Sequence, residues 1–343
     1  MKTRAENDPS AAIPARPGST SDPARTRPFG EVAVLGAGTM GHALAVVHAL
    51  AGCEVRLHDV RAEALRRAET LIGAALATLR EAGEVDAALA DRIPARISCS
   101  TCLRQAVAGA DLVVETVVED RDVKREVFAH VSEYAPRDAV VISNTSYLDI
   151  FPLVPDTLRR RVAVVHWYTP PYILDLVDIV PGPETELSVV DQLEAFYAGM
   201  GKRPVRFARP LAGYVANRLQ AAMMAEIFRL LDEEGIAPEV IDESIRHGLG
   251  LRLLLLGQLR KADYTGLELV AKALANRTWA PPPTRERSPT LDRLLAEGRT
   301  GVLAGRGFFD HGNRPAEELF RERDRALLAL KRAWRAIEEG RGA

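Results

Sequence analysis

A chain of 343 residues is long enough for about two domains. Hydrophobic residues make up 47% and charged residues 27%, the balance of an ordinary globular protein able to bury a large core. The 45 Lys and Arg against 47 Asp and Glu leave a formal charge of −2, which argues against a dedicated nucleic-acid binder. A local basic pocket for a phosphorylated ligand is still compatible with that balance. No stretch approaches the roughly 18 consecutive apolar residues of a membrane span, and the N-terminus lacks the apolar centre of a secretory signal. Three cysteines are too few for a disulfide framework and predict a reducing, cytoplasmic setting.

Residues 1–26 are rich in Pro, Ala, Arg, Ser and Thr and read as a disordered extension. Glu31–Leu35 then reads as a short buried strand, followed directly by Gly36-Ala-Gly-Thr-Met-Gly41 and a helix over His42–Ala51. Gly52 suits the helix C-terminus. Glu54–Asp59 alternates as a second strand, and Arg61–Ala87 carries apolar residues at helical spacing. Cys99-x-x-Cys102 has no second cysteine pair or histidine cluster to complete a metal site, so it reads as small residues near a strand end, and no metal is expected. Further strands are expected at Leu112–Glu115, Ala139–Ser143, Val162–His166 and Asp175–Val180, with helices such as Arg121–Tyr134 between them.

Strands alternating with helices predict a Rossmann-type α/β domain, a doubly wound parallel sheet over 27–207. From Leu211 to Leu274 the pattern is helical throughout, Pro281-Pro-Pro283 breaks it, and Leu319–Glu339 closes it. An all-α C-terminal domain over 208–340 is therefore expected, for substrate binding and dimerisation. The apolar runs around Met223–Ile227 and Leu251–Leu259 are too greasy for an outer face, so a homodimer is expected.

Each glycine of Gly36-x-Gly38-x-x-Gly41 has a separate task. The first allows the tight strand-to-helix turn, the second lets backbone approach a pyrophosphate, and the third lets helix and strand pack closely. The diphosphate would sit on the positive helix N-terminus near Thr39 and Met40. Asp59 lies 23 residues after Gly36, placed to bind the adenosine ribose 2′-hydroxyl and repel an NADP 2′-phosphate. Arg61 nearby could favour that phosphate, but it also suits a solvated helix start. NAD is the expected cofactor.

Val113-Val-Glu-Thr-Val-Val-Glu119, Lys124, Ser143-Asn-Thr-Ser146, His166 before Pro170-Pro171, and Asn217-Arg-Leu219 occur in this order. Together they resemble the 3-hydroxyacyl-CoA dehydrogenase family over residues 30 to about 312. Val180–Thr185, Leu211–Gln220 and Gly248–Arg252 resemble its lambda-crystallin/L-gulonate 3-dehydrogenase branch. Gly305-Arg-Gly-Phe-Phe-Asp310 is similar to the ending of its acyl-CoA branch. The resemblance implies that His166 is the catalytic base, oriented by an acid twelve residues on, here Asp178 in place of the family glutamate. It implies that Ser146 and Asn217 contact the substrate oxygen, and that Glu119, Lys124 and Asn144 serve the cofactor. Imidazole suits the task independently, since alcohol oxidation needs a proton acceptor of near-neutral pKa. Further departures are Thr169 for an asparagine, Leu303 for a lysine, and Gly257-Gln258-Leu259 for Gly-Pro-Phe.

The leading expectation is NAD-dependent oxidation of a 3-hydroxyacyl-CoA, a step of fatty acid metabolism, with Arg66, Arg67 and Arg80 available to CoA phosphates. The alternative substrate is a free 3-hydroxy acid, gulonate- or carnitine-like, whose carboxylate Arg252 could pair. A third reading is an NAD-binding protein whose catalysis is weakened by the departures. Small-molecule substrate, no nucleic acid and no membrane complete the expectation.

Overall fold

The computed structural model describes residues 28–276 and 287–341. The expected extension 1–26 and the proline break at 281–283 lie outside the described residues. The first part of the chain runs β1 (Glu31–Leu35), α1 (Gly41–Leu50), β2 (Glu54–His58), α2 (Ala62–Glu81), α3 (Ala87–Arg92), β3 (Ile97–Ser100) and α4 (Leu103–Val107). It continues through β4 (Leu112–Glu115), α5 (Arg121–Tyr134), β5 (Val140–Ser143), β6 (Val162–Trp167), β7 (Leu176–Pro181), α6 (Leu187–Gly199) and β8 (Arg203–Arg206). The eight strands form one sheet in the order β3-β2-β1-β4-β5-β6-β7-β8. The central strands are apolar on both faces, as covered parallel strands must be.

The expected strands are present, and β3 through β6 are parallel. β7 departs from the expected parallel arrangement, because it runs antiparallel to β6. The link 168–175 is shorter than the dozen or more residues that a parallel crossover needs, so the chain turns straight back. That turn sets His166 directly opposite Asp178. Two strands were not foreseen, β3 and β8. Both lie at sheet edges and carry Ser, Cys, Arg and Pro where an inner strand would carry Val or Ile.

The second part is helical: α7 (Val215–Asp232), α8 (Pro238–Glu243), a π-helical turn (Ser244–Gly250), α9 (Leu251–Thr265), α10 (Leu267–Ala275), α11 (Pro289–Ala296) and α12 (Ala316–Arg341). Gly257 breaks α9 with φ 67°, a left-handed value that a glycine adopts at little cost. α7, α9 and α10 bury none of their residues in the single chain, and Leu259 is 83% exposed. α12 behaves differently. It returns to the first part, where Leu328 joins the core below α2 and Arg332 Nε lies 2.9 Å from Glu84. Asp324 accepts a 2.7 Å bond from the Tyr172 hydroxyl, and Lys331 Nζ sits 2.5 Å from Asp175. So residues 316–341, expected with the helical half, pin the β6–β7 link instead. No described helix is long and apolar enough to cross a membrane.

Candidate active site

The order β2-β1-β4 reverses direction between β1 and β4, the place where open α/β sheets leave a crevice. A cavity of about 830 Å³ opens there, and Gly36, Gly38, Thr39, Met40, Asp59, Glu119, Asn144 and Ser146 line it. A Cβ on Gly36, whose φ is 102°, would fall 2.7 Å from the Thr116 carbonyl oxygen. One on Gly41 would fall 1.7 Å from the Gly36 oxygen. A Cβ on Gly38 would meet nothing within 4 Å and would project into open space, the room a diphosphate needs. Gly41 itself does not line the cavity; it serves the helix–strand contact. The cradle fits a dinucleotide.

Asp59 stands at the rim after β2, accepting 3.0 Å bonds from the backbone amides of Ala37 and Arg61. Arg61 turns toward it, with Nε 3.7 Å from the carboxylate. α5 supplies Val123, Val127 and His130 to the opposite wall. This face was missed in the sequence: its helical spacing was readable, but nothing marked it as facing a ligand rather than the core.

Beneath the cleft lies a buried charge cluster. Lys124 Nζ is 2.7 Å from Glu115 Oε1 and 3.3 Å from Glu119 Oε2, with Lys124 and Glu115 almost wholly enclosed. The Ser143 hydroxyl donates to Glu115 at 2.5 Å, and so does the Val117 amide at 2.8 Å. Glu119 Oε1 accepts from the Thr145 hydroxyl at 2.6 Å and from the amides of Ser146 and Tyr147 at 3.0 Å. Partial burial opposes its charge, but the bonds from Thr145 and Tyr147 and the Lys124 ammonium prevail and hold its carboxyl below the usual range. The Lys124 amine, enclosed by two carboxylates, does not itself line the cleft, and through Glu119 it is tied to the Ser143–Leu148 loop. Glu119 lines the cleft, and its carboxylate shapes that same loop.

His166 sits near the end of β6. Its Nε2 is 3.2 Å from Ser146 Oγ and 3.5 Å from Asn217 Nδ2, so loop, strand and α7 converge on one nitrogen. Asn144 accepts a 2.9 Å bond from the Trp167 amide, tying β6 to the loop that carries Ser146. The far nitrogen, Nδ1, lies 3.7 Å from Asp178 Oδ2, beyond hydrogen-bond reach, and has no other partner among the described residues. Asp178 instead accepts a 2.7 Å bond from the Tyr168 hydroxyl. The Tyr214 ring, 4.7 Å from that of His166, bonds the Thr145 carbonyl through its hydroxyl at 2.8 Å. Tyr168 and Tyr214 were missed because aromatic residues beside a strand and a helix start read as core. Arg252 is not brought to this group: it lies exposed at the start of α9, its Nε bonded to the Gly248 carbonyl at 2.8 Å. Leu303 is 69% exposed, and Thr169 bonds the Met40 sulfur at 3.2 Å on the cofactor side.

Sequence comparison completes the picture. Residues 31–209 match the family model described as 3-hydroxyacyl-CoA dehydrogenase, NAD binding domain, and residues 213–311 match the C-terminal domain of the same family. The chain belongs to the 3-hydroxyacyl-CoA dehydrogenase family. It is an NAD-dependent oxidoreductase of that family, and its first domain is the NAD-binding one. It is 35% identical to 3-hydroxyadipyl-CoA dehydrogenase of Escherichia coli over 81% of this chain, spanning 58% of that protein's length. It is 31% identical to L-carnitine dehydrogenase of Streptomyces griseus over 95% of both chains. Among solved structures, 5-formyl-3-hydroxy-2-methylpyridine 4-carboxylic acid 5-dehydrogenase superposes with a TM-score of 0.79 at 25% identity, covering 89% of this chain and 98% of that one. α12 lies beyond the matched residues of the family model.

Proposed function

We propose that this dehydrogenase oxidises the 3-hydroxyl of a small free 3-hydroxy acid, with His166 as the general base. The observation that carries the chemistry is the convergence of Ser146 Oγ and Asn217 Nδ2 on His166 Nε2 beside the cofactor cleft. A hydroxyl placed among these three groups gives its proton to Nε2. Ser146 and Asn217 can then donate to the oxygen as it becomes a carbonyl, and they hold it in line throughout. Asp178, buried across the strand pair, carries the charge that offsets the imidazolium. Bound NAD supplies the hydride acceptor. In the reverse direction the same nitrogen returns the proton to the reduced oxygen.

The full-length match to L-carnitine dehydrogenase and the close superposition on a pyridine-carboxylate dehydrogenase support a carboxylate substrate. A second reading, a 3-hydroxyacyl-CoA substrate and a role in fatty acid metabolism, is favoured by the match to the Escherichia coli enzyme. Initial-rate kinetics on free 3-hydroxy acids and on 3-hydroxybutyryl-CoA, read as NADH formation, tests both. Turnover of a free acid, with Asp59 making NAD the better cofactor than NADP, is the expected result. Saturation by the thioester alone would assign the second reading. Tight NADH binding without turnover of any 3-hydroxy compound would leave a cofactor-binding protein with lost catalysis.

The helical half belongs to the same proposal, as the part that completes the substrate site and pairs two chains. α7, α9 and α10 bury nothing in the single chain, and Leu219, Leu251 and Leu267 are all more than 60% exposed. Faces this apolar call for a partner, and a two-fold copy is the commonest one. Sedimentation at micromolar concentration is expected to give twice the chain mass; a monomer would refute the pairing. A chain with three cysteines has too few for a disulfide framework, which supports a cytoplasmic setting.

A further inference from the structure

Two donors face one oxygen in this site. Asp178 Oδ2 is 2.7 Å from the Tyr168 hydroxyl and 3.7 Å from His166 Nδ1. The Tyr168 ring stands edge-on to the imidazole with centroids 4.7 Å apart, so the two side chains share one side of the strand end. We propose that Tyr168 is a positioning residue for the acid–base pair: its hydroxyl occupies the Asp178 oxygen that faces His166 and holds the carboxylate off the ring. The inference deepens the proposed oxidation and rests on its assignment of His166 as the base.

The physical case begins with reach. Aspartate is shorter by one C–C bond, about 1.5 Å, than the glutamate that the resemblance places here. A buried carboxylate must find a donor, and an O–H bonded to an anion is among the stronger hydrogen bonds. Tyr168 meets that need, which leaves Nδ1 enclosed without a partner. Burial first, then the bond to Asp178 and its charge, push the Tyr168 phenol well above its ordinary range, so it stays a neutral donor. The other groups around His166 do not compete for its charge. Ser146 and Asn217 do not titrate, burial pushes Tyr214 up, and Glu119 is anionic but committed to Thr145, Tyr147 and Lys124. Asp178 is thus the acid that the ring can engage, and Tyr168 sets how closely.

Tyr168→Phe removes the hydroxyl and keeps the ring. Asp178 is then left with His166 Nδ1 as its donor, the imidazolium gains a direct partner, and the base becomes stronger. The acid limb of the kcat/KM profile against pH is expected to move up by about one unit. In an Asp178→Asn background the same substitution should move nothing further, since the carboxylate that transmits the effect is gone. Asp178→Glu, which restores reach with Tyr168 in place, should shift the limb in the same upward direction and serves if Tyr168→Phe folds poorly. NMR titration of the His166 ring in the NAD complex gives the same reading without any substrate. Failure of the proposed oxidation therefore leaves this test intact. An unmoved or lowered titration in both Tyr168→Phe and Asp178→Glu overturns the proposal, as does an equal shift in the Asp178→Asn background.

Discussion

Replacing His166 with alanine is expected to lower kcat by about 10²–10⁴-fold while leaving NADH binding nearly unchanged. The imidazole is the group at which Ser146 and Asn217 converge, and the described residues place no other imidazole there. Alanine removes the proton acceptor and its packing between the rings of Tyr168 and Tyr214, but touches none of the glycine cradle. Stopped-flow rates with the best substrate and NADH fluorescence titration measure the two halves separately. Retention of more than about a tenth of the parental rate would remove His166 from the role of base.

The largest loss of stability is expected at Lys124. Its ammonium is enclosed with Glu115, and both side chains are at most 1% exposed. Lys124→Met keeps much of the volume but strands one carboxylate in the interior and weakens the hold on Glu119. Breaking a buried pair from one side costs about 3–5 kcal/mol. The double variant Lys124→Met with Glu115→Gln removes the stranded charge, and should recover a large part of that loss, since the amide oxygen can still accept from the Val117 N–H while its NH2 donates to the Ser143 hydroxyl, which rotates to accept. Urea unfolding of the three proteins gives the comparison. Equal midpoints for Lys124→Met and the parent would show that the pair contributes nothing net. The Ser143–Leu148 loop rests on this cluster through Glu119, so NADH affinity is expected to fall with stability.

How much of this was readable in the sequence depended on how local the cause was. The glycine cradle was legible because Gly36 and Gly41 answer contacts within a few residues or one strand away, and Gly38 between them keeps the cleft open. Asp59 was legible by its position after β2. That Asp178 lies across from His166 was implied by the family resemblance, but the 3.7 Å gap and the intervention of Tyr168 depend on the hairpin geometry of β6 and β7. The edge strands β3 and β8 were missed because an edge needs no apolar pattern. The burial of Lys124 was not legible, because its ion pair with Glu115 nine residues earlier on β4 forms only when α5 folds back beside that strand.

The return of α12 has a consequence for the order in which the molecule can be finished. Residues 316–341 are synthesised after the whole sheet, yet Asp324 and Lys331 hold Tyr172 and Asp175 in the link that joins β6 to β7. Contacts across about 150 positions are slow to form, because the intervening loop must close before they reward it. During synthesis the sheet can assemble from its N-terminal side, while the hairpin bearing His166 and Asp178 waits for α12. A nascent chain thus acquires its glycine cradle well before α12 can brace the hairpin that carries His166 and Asp178.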